Sequence, residues 1–105
     1  MWDVSRLRDA AKDLVLGEVL LSSISEIDSV YWFDDEHPPT CKAVIEHVRR
    51  IRSADLSDPV LLSPDGYVID GMHRVAKALL EGQVSIRAKT LPEYPEPDRV
   101  VELDR

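Results

Sequence analysis

The sequence predicts a compact α+β domain, a small mixed sheet carrying three helices in the order α-β-α-β-β-α-β. Three observations lead there. Residues 40–53 place apolar side chains at helical spacing. Two short apolar runs, Pro59-Val60-Leu61-Leu62 and Tyr67-Val68-Ile69, flank the turn sequence Ser63-Pro64-Asp65-Gly66. Directly afterwards, Asp70-Gly71 ends an apolar run where a further helix opens.

The elements follow in order. Asp3 is placed to cap a first helix over residues 4–14, with Val4, Leu7, Ala11 and Leu14 on one face. Residues 18–24 read as a strand, because Val19-Leu20-Leu21 is a buried run too short for a helix. A loop over 25–39 holds Tyr31-Trp32-Phe33, three acids and His37-Pro38-Pro39, and the double proline sets up the next helix. In that helix, 40–53, Cys41, Val44, Ile45, Val48 and Ile51 share a face expected to turn inward. Arg49, Arg50 and Arg52 suit its C-terminal end. Pro64 at the second position and Gly66 at the fourth match a type I turn and give a β-hairpin. The next helix runs over 71–81 with Val75, Ala78 and Leu79 inward and Gly82 as its stop. Residues 84–90 alternate Val84, Ile86 and Ala88 against Ser85, Arg87 and Lys89, as a half-exposed strand does. The domain is therefore expected over residues 1–91. Residues 92–105 form a proline-rich acidic tail, with a short edge strand over 99–103.

Composition narrows the function classes. At 105 residues the chain has room for one modest core. No apolar run approaches the roughly 20 residues that span a bilayer, and the first residues lack the pattern of a secretory signal. A single cysteine excludes an internal disulfide and suits a reducing, cytoplasmic setting. The spacing of Cys and His gives no zinc site. The net charge of −7 disfavours direct DNA binding, since phosphate backbones need positive surface. That charge is uneven. Residues 1–39 hold nine acids against three bases, residues 40–90 six against eight, and residues 91–105 five against two. The central part alone is cationic, which suits a small anionic ligand better than a polymer.

Within it, Asp70-Gly71-Met72-His73-Arg74 stands at the strand-to-helix junction. Helix N-termini attract anions through unpaired N–H groups and the macrodipole. An imidazole and a guanidinium in the first turn would add two cations, provided that both face a common hollow. The motif resembles the signature of the ParB/sulfiredoxin superfamily. The similarity extends from Pro59 to Thr90 as hairpin, motif, helix, glycine and strand, and the chain also looks like small stand-alone ParB-like proteins. The resemblance implies a nucleotide (ATP, ADP or CTP) whose phosphates rest on the motif. Met72 holds the place of the sulfiredoxin cysteine, and a thioether cannot be that nucleophile, so sulfinic-acid repair is not expected. In partition proteins a helix-turn-helix domain follows, for which these 105 residues are too few, so the partition function is not expected. In free-serine kinases of the superfamily a similar motif holds ADP or ATP and an acid after the first strand is the base. Glu26 is the nearest analogue, with Asp28 second.

The candidate phosphate-binding residues are therefore Asp70, Gly71, Met72, His73, Arg74 and Lys77, the last extending the cationic face by one turn. Asp70 also fits a helix cap, and Gly71 fits a tight turn as well as close phosphate approach. Candidate catalytic residues are Glu26 and Asp70. Asp34-Asp35-Glu36 is a solvated acidic loop with the oxygen ligands that Mg2+ takes. Trp32 fits a core-anchored loop better than a base-stacking platform, and Cys41 fits core packing. His37 and His47 receive no role. The leading expectation is a nucleotide-binding ParB-like domain. The alternatives are a Mg2+-dependent phosphotransferase or nucleotidase acting on a small hydroxyl substrate, and an interaction module that docks a protein partner or a second copy of itself.

Overall fold

The computed structural model describes residue 9 and residues 11–93. Among these the order is β1 (Gly17–Leu20), two 3-10 turns (Leu21–Ser23 and Ser25–Asp28), α1 (Cys41–Ser53), β2 (Val60–Leu62), β3 (Val68–Asp70), α2 (Met72–Leu80) and β4 (Ser85–Thr90). The class is α+β, but the expected three helices become two among the described residues, and the order is β-α-β-β-α-β. Val4 and Leu7 of the expected first helix lie outside the described residues, as does the expected edge strand 99–103. Asp9 and Ala11 are helical, yet residues 12 and 13 already turn, and Leu14 N–H closes back on the Ala11 carbonyl at 3.0 Å.

The expected strand over 18–24 also stops early, at Leu20. Its serines explain this: Ser23 Oγ donates to the Leu20 carbonyl at 2.7 Å, and Ile24 N–H bonds the Leu21 carbonyl at 3.0 Å. Local bonds of this kind compete with a ladder and curl the chain into a tight turn. The turn carries Leu21, Ile24 and Glu26 inward.

The four strands form one mixed sheet in the order β1-β4-β2-β3. β4 runs antiparallel to β1, pairing Val19 with Ile86, and parallel to β2, pairing Val60 with Ala88. β2 and β3 are the hairpin, closed where Gly66 N–H bonds the Ser63 carbonyl at 2.9 Å. Every residue of β2 is buried, because the sheet is covered on both faces there. On one face Val60 and Leu62 meet Leu21, Ile24, Val68, Val75, Ala78 and Ile86. On the other, Leu61 packs with Ala11 and Leu91. β4 alternates as expected at Ile86 and Ala88, but Val84 lies before the strand and is exposed.

The helices depart most from expectation in the direction they face. α1 is capped by Thr40, whose Oγ1 accepts from Ala43 N–H at 3.1 Å. None of its residues is fully buried. The apolar stripe of Cys41, Val44, Ile45 and Val48 points to solvent, and the half-buried residues are Ala43, Glu46, His47 and Ile51. α2 buries Met72, Arg74, Val75 and Ala78, whereas Leu79, expected inward, is exposed.

Candidate functional site

The β3–α2 junction is built on Gly71. Its φ of 113° belongs to the left-handed region, which glycine adopts without steric cost. Gly71 therefore serves as the N-cap, and its carbonyl accepts from the N–H groups of Arg74 (3.0 Å) and Val75 (3.1 Å). Asp70 makes no cap. Its Oδ2 instead accepts from Arg74 Nη2 at 3.1 Å, one helical turn along. Arg74 Nη1 donates to the carbonyls of Asp58 (3.1 Å) and Pro59 (2.6 Å), with the Asp58 carboxylate 3.6 Å away. The guanidinium lies so close under Gly71 that a Cβ there would meet Arg74 Cζ at 3.1 Å. The motif closes on itself: the buried Arg74 guanidinium with the half-buried Asp70 and Gly71 forms a clamp between α2, β3 and the entry to β2.

Lys77 is likewise turned inward. Its Nζ donates to the carbonyls of Arg52 (3.1 Å) and Ala54 (2.7 Å), the orphan acceptors at the end of α1. Of the expected cationic cluster, Arg74 and Lys77 thus hold the scaffold, and Arg74 and His73 do not face one hollow.

His73 points the other way. Its Nε2 lies 2.8 Å from Nδ1 of His47 on α1. Trp32 stacks on both rings, 4.5 Å from His47 and 4.6 Å from His73 between centroids, nearly parallel to each. Phe33 meets His47 edge-on. Burial, then the neighbouring His47 and Arg50, push the His73 pKa down to about 4. Burial and Arg50 lower that of His47 as well, with Glu46 opposing. Both shifts favour the neutral rings, which share one hydrogen bond. With His47 neutral, the fixed charge acting on His73 is Arg50, beside a helix end that is itself positive. His47 carries no signal in the sequence, since its partner is 26 residues away.

Trp32 and Met72 also line a partly open pocket of about 340 Å³, together with Glu26, Ile27, Tyr31, Ala76 and their neighbours. Its walls are almost entirely apolar. Glu26 is buried there; its Oε2 accepts from Val68 N–H at 2.6 Å, pinning the start of β3, while Oε1 is buried without a partner. Asp28 is exposed. Glu26 and Asp70, paired as catalytic candidates, each have a firm structural partner, Val68 N–H and Arg74 respectively.

The acidic loop is folded around its own backbone. Asp34 Oδ1 accepts from Glu36 N–H (2.9 Å), His37 N–H (2.6 Å) and His37 Nδ1 (2.9 Å), which holds the Asp34 carboxyl below its usual range. Among the described residues no three His, Cys, Asp or Glu side chains gather as a metal ion requires. Cys41 is exposed, not packed in the core. Comparison with protein-family models, curated proteins and solved structures finds no match to this chain. Its site must speak for itself. No helix among the described residues is long and apolar enough to cross a membrane.

Proposed function

We propose that the chain binds a phosphate-bearing nucleotide, with its phosphates at the N-terminus of α2 and its base in the adjoining apolar pocket. One observation carries this: the His47–His73 pair stands at a helix N-terminus where Arg50 is the fixed charge acting on both rings, and it stacks on Trp32, which with Met72 lines that pocket. An anion there would be attracted by Arg50 and by the leading N–H groups of α2, and it would draw a proton onto the imidazoles. The pocket has the size and apolar walls of a small-ligand site. Glu26 Oε1, buried and unpartnered, supplies an acceptor that the amino group of a base would satisfy when the pocket fills.

This reading keeps the ligand class that the ParB/sulfiredoxin resemblance implies and changes the residues. His73, Met72 and Gly71 remain at the ligand, His47, Arg50 and Trp32 join them, and Asp70, Arg74 and Lys77 shape the helix end from behind. A phosphotransferase would need Asp70 or Glu26 released from its present partner, so simple binding is the better supported activity.

A thermal-shift panel of ATP, ADP, CTP and GTP, with and without Mg2+, tests the proposal, because a ligand that binds the fold raises its stability by mass action. At least one nucleotide raises Tm in the wild type, and the shift shrinks in Arg50→Ala and His73→Ala. No shift with any nucleotide would dismiss the site.

A further inference from the structure

The outer face of α1 belongs to no site described so far. Cys41, Val44, Ile45 and Val48 form a stripe along it, and the three aliphatic residues are 42%, 56% and 43% exposed. A surface helix normally turns such a stripe toward its core. Here the His47–His73 bond and the Lys77 contacts fix the opposite side of α1 against the domain. Ile45 and Val48 also floor an open groove of about 470 Å³ whose rim is Arg49, Arg52 and Ser53. Contiguous exposed apolar surface with a polar rim marks an interaction site.

Charge selects the occupant. Lys42, Arg49, Arg50 and Arg52 are exposed on this helix, while its one acid, Glu46, already pairs with Arg49 at 2.8 Å. A cationic rim around an apolar stripe is unusual in a chain of net charge −7. A second copy of α1 laid across the first would set arginines against arginines, which disfavours a symmetric dimer. We propose that this face docks an amphipathic helical segment of a partner protein, one whose apolar ridge fills the Ile45–Val48 groove and whose flanking acids meet Lys42, Arg49 and Arg52. Packing of one helical ridge into the groove of another supplies the contact, and the rim charges supply selectivity and salt sensitivity.

The test uses the full chain and two synthetic helical peptides with the same leucine stripe, one flanked by glutamates and one by lysines. Backbone amide NMR of the free chain comes first, with its oligomeric state by analytical ultracentrifugation. The glutamate peptide is expected to shift the α1 amides saturably, to weaken with salt, and to lose about tenfold in affinity against the double variant Arg49→Glu, Arg52→Glu. Ile45→Asp, at an exposed position, is expected to abolish the interaction without altering the fold. Equal binding of both peptides, binding of neither, or a wild-type dimer that Ile45→Asp dissociates would overturn the proposal. Protection of the α1 stripe by the chain's own residues in the free monomer would overturn it as well.

Discussion

Nδ1 of His47 lies 2.8 Å from Nε2 of His73, and both imidazoles rest on one face of Trp32. The bond joins α1 to the first turn of α2, and it needs at least one neutral ring. That requirement makes the contact between the helices a function of pH. His73 has its pKa lowered from the ordinary 6.5 to about 4 by burial first, then by His47 and Arg50.

The sign follows from linkage. The unfolded chain takes up a proton on His73 as pH falls below 6.5, while the folded chain resists until about pH 4. The unfolded state therefore binds more protons across this window, and the stabilisation is present above 6.5 and is lost as pH falls toward 4. Carboxylates titrate in the same range, so the measurement is a difference. Urea melts at several pH values are expected to show a steeper acid loss for the wild type than for the double variant His47→Phe, His73→Phe. Parallel curves would show that the imidazoles are not held neutral.

Arg74 is expected to matter for folding more than for ligand. Its guanidinium is almost fully buried and bonds two carbonyls and Asp70. Arg74→Met leaves the half-buried Asp70 carboxylate and those carbonyls without their donor, and orphaning such groups costs about 1–3 kcal/mol. Asp70→Asn keeps an acceptor facing Arg74 and costs less. Chemical denaturation of the two variants checks the order. A near-neutral Arg74→Met would mean that the clamp is not formed.

Two glycines separate strain from space. Gly71 and Gly82 both have positive φ, 113° and 77°, so alanine is strained at either position. At Gly82 a Cβ would meet nothing within 4 Å, whereas at Gly71 it would press on Arg74 Cζ at 3.1 Å. Gly82→Ala is expected to cost about 1 kcal/mol from backbone strain alone, and Gly71→Ala clearly more, because the buried guanidinium has little freedom to move. Equal losses in urea melts would place Arg74 elsewhere.

How much of this was readable in the chain depended on range. The hairpin was, because Ser63-Pro64-Asp65-Gly66 sets its own turn and β2 and β3 flank it directly. The start of α2 was, to within a residue, because the Asp70-Gly71 junction marks it, although the cap is Gly71 and not Asp70. The facing of α1 was not: its apolar period predicts an inward stripe, and the orientation is decided by His47 meeting His73 and by Lys77 reaching Arg52 and Ala54. The motif itself misled for a similar reason. Side-chain types in a first helical turn suggest an anion, but Arg74 finds Asp58, Pro59 and Asp70 within its own fold, and sequence spacing shows only the last of these. Glu26 is named by the sequence as a candidate base, but its bond to Val68 N–H is not legible there, because it depends on the 3-10 turn after β1 carrying the side chain across 42 residues of chain.

Nucleotide affinity should carry the signature of the imidazole pair. The proposed phosphate beside His73 would stabilise the protonated ring, and the complex is then expected to have a higher His73 pKa than the free protein, moving from about 4 back toward 6.5. Binding then takes up protons between those values, and affinity rises as pH falls from 7 toward 5. Arg74→Lys, which leaves that pair untouched, is expected to retain the slope even where it lowers stability, while His73→Gln is expected to flatten it. Isothermal titration in two buffers of different ionisation enthalpy reads the proton uptake directly. Affinity that is independent of pH, with no proton exchanged, would remove His47 and His73 from the ligand and leave their contact as a joint between two helices.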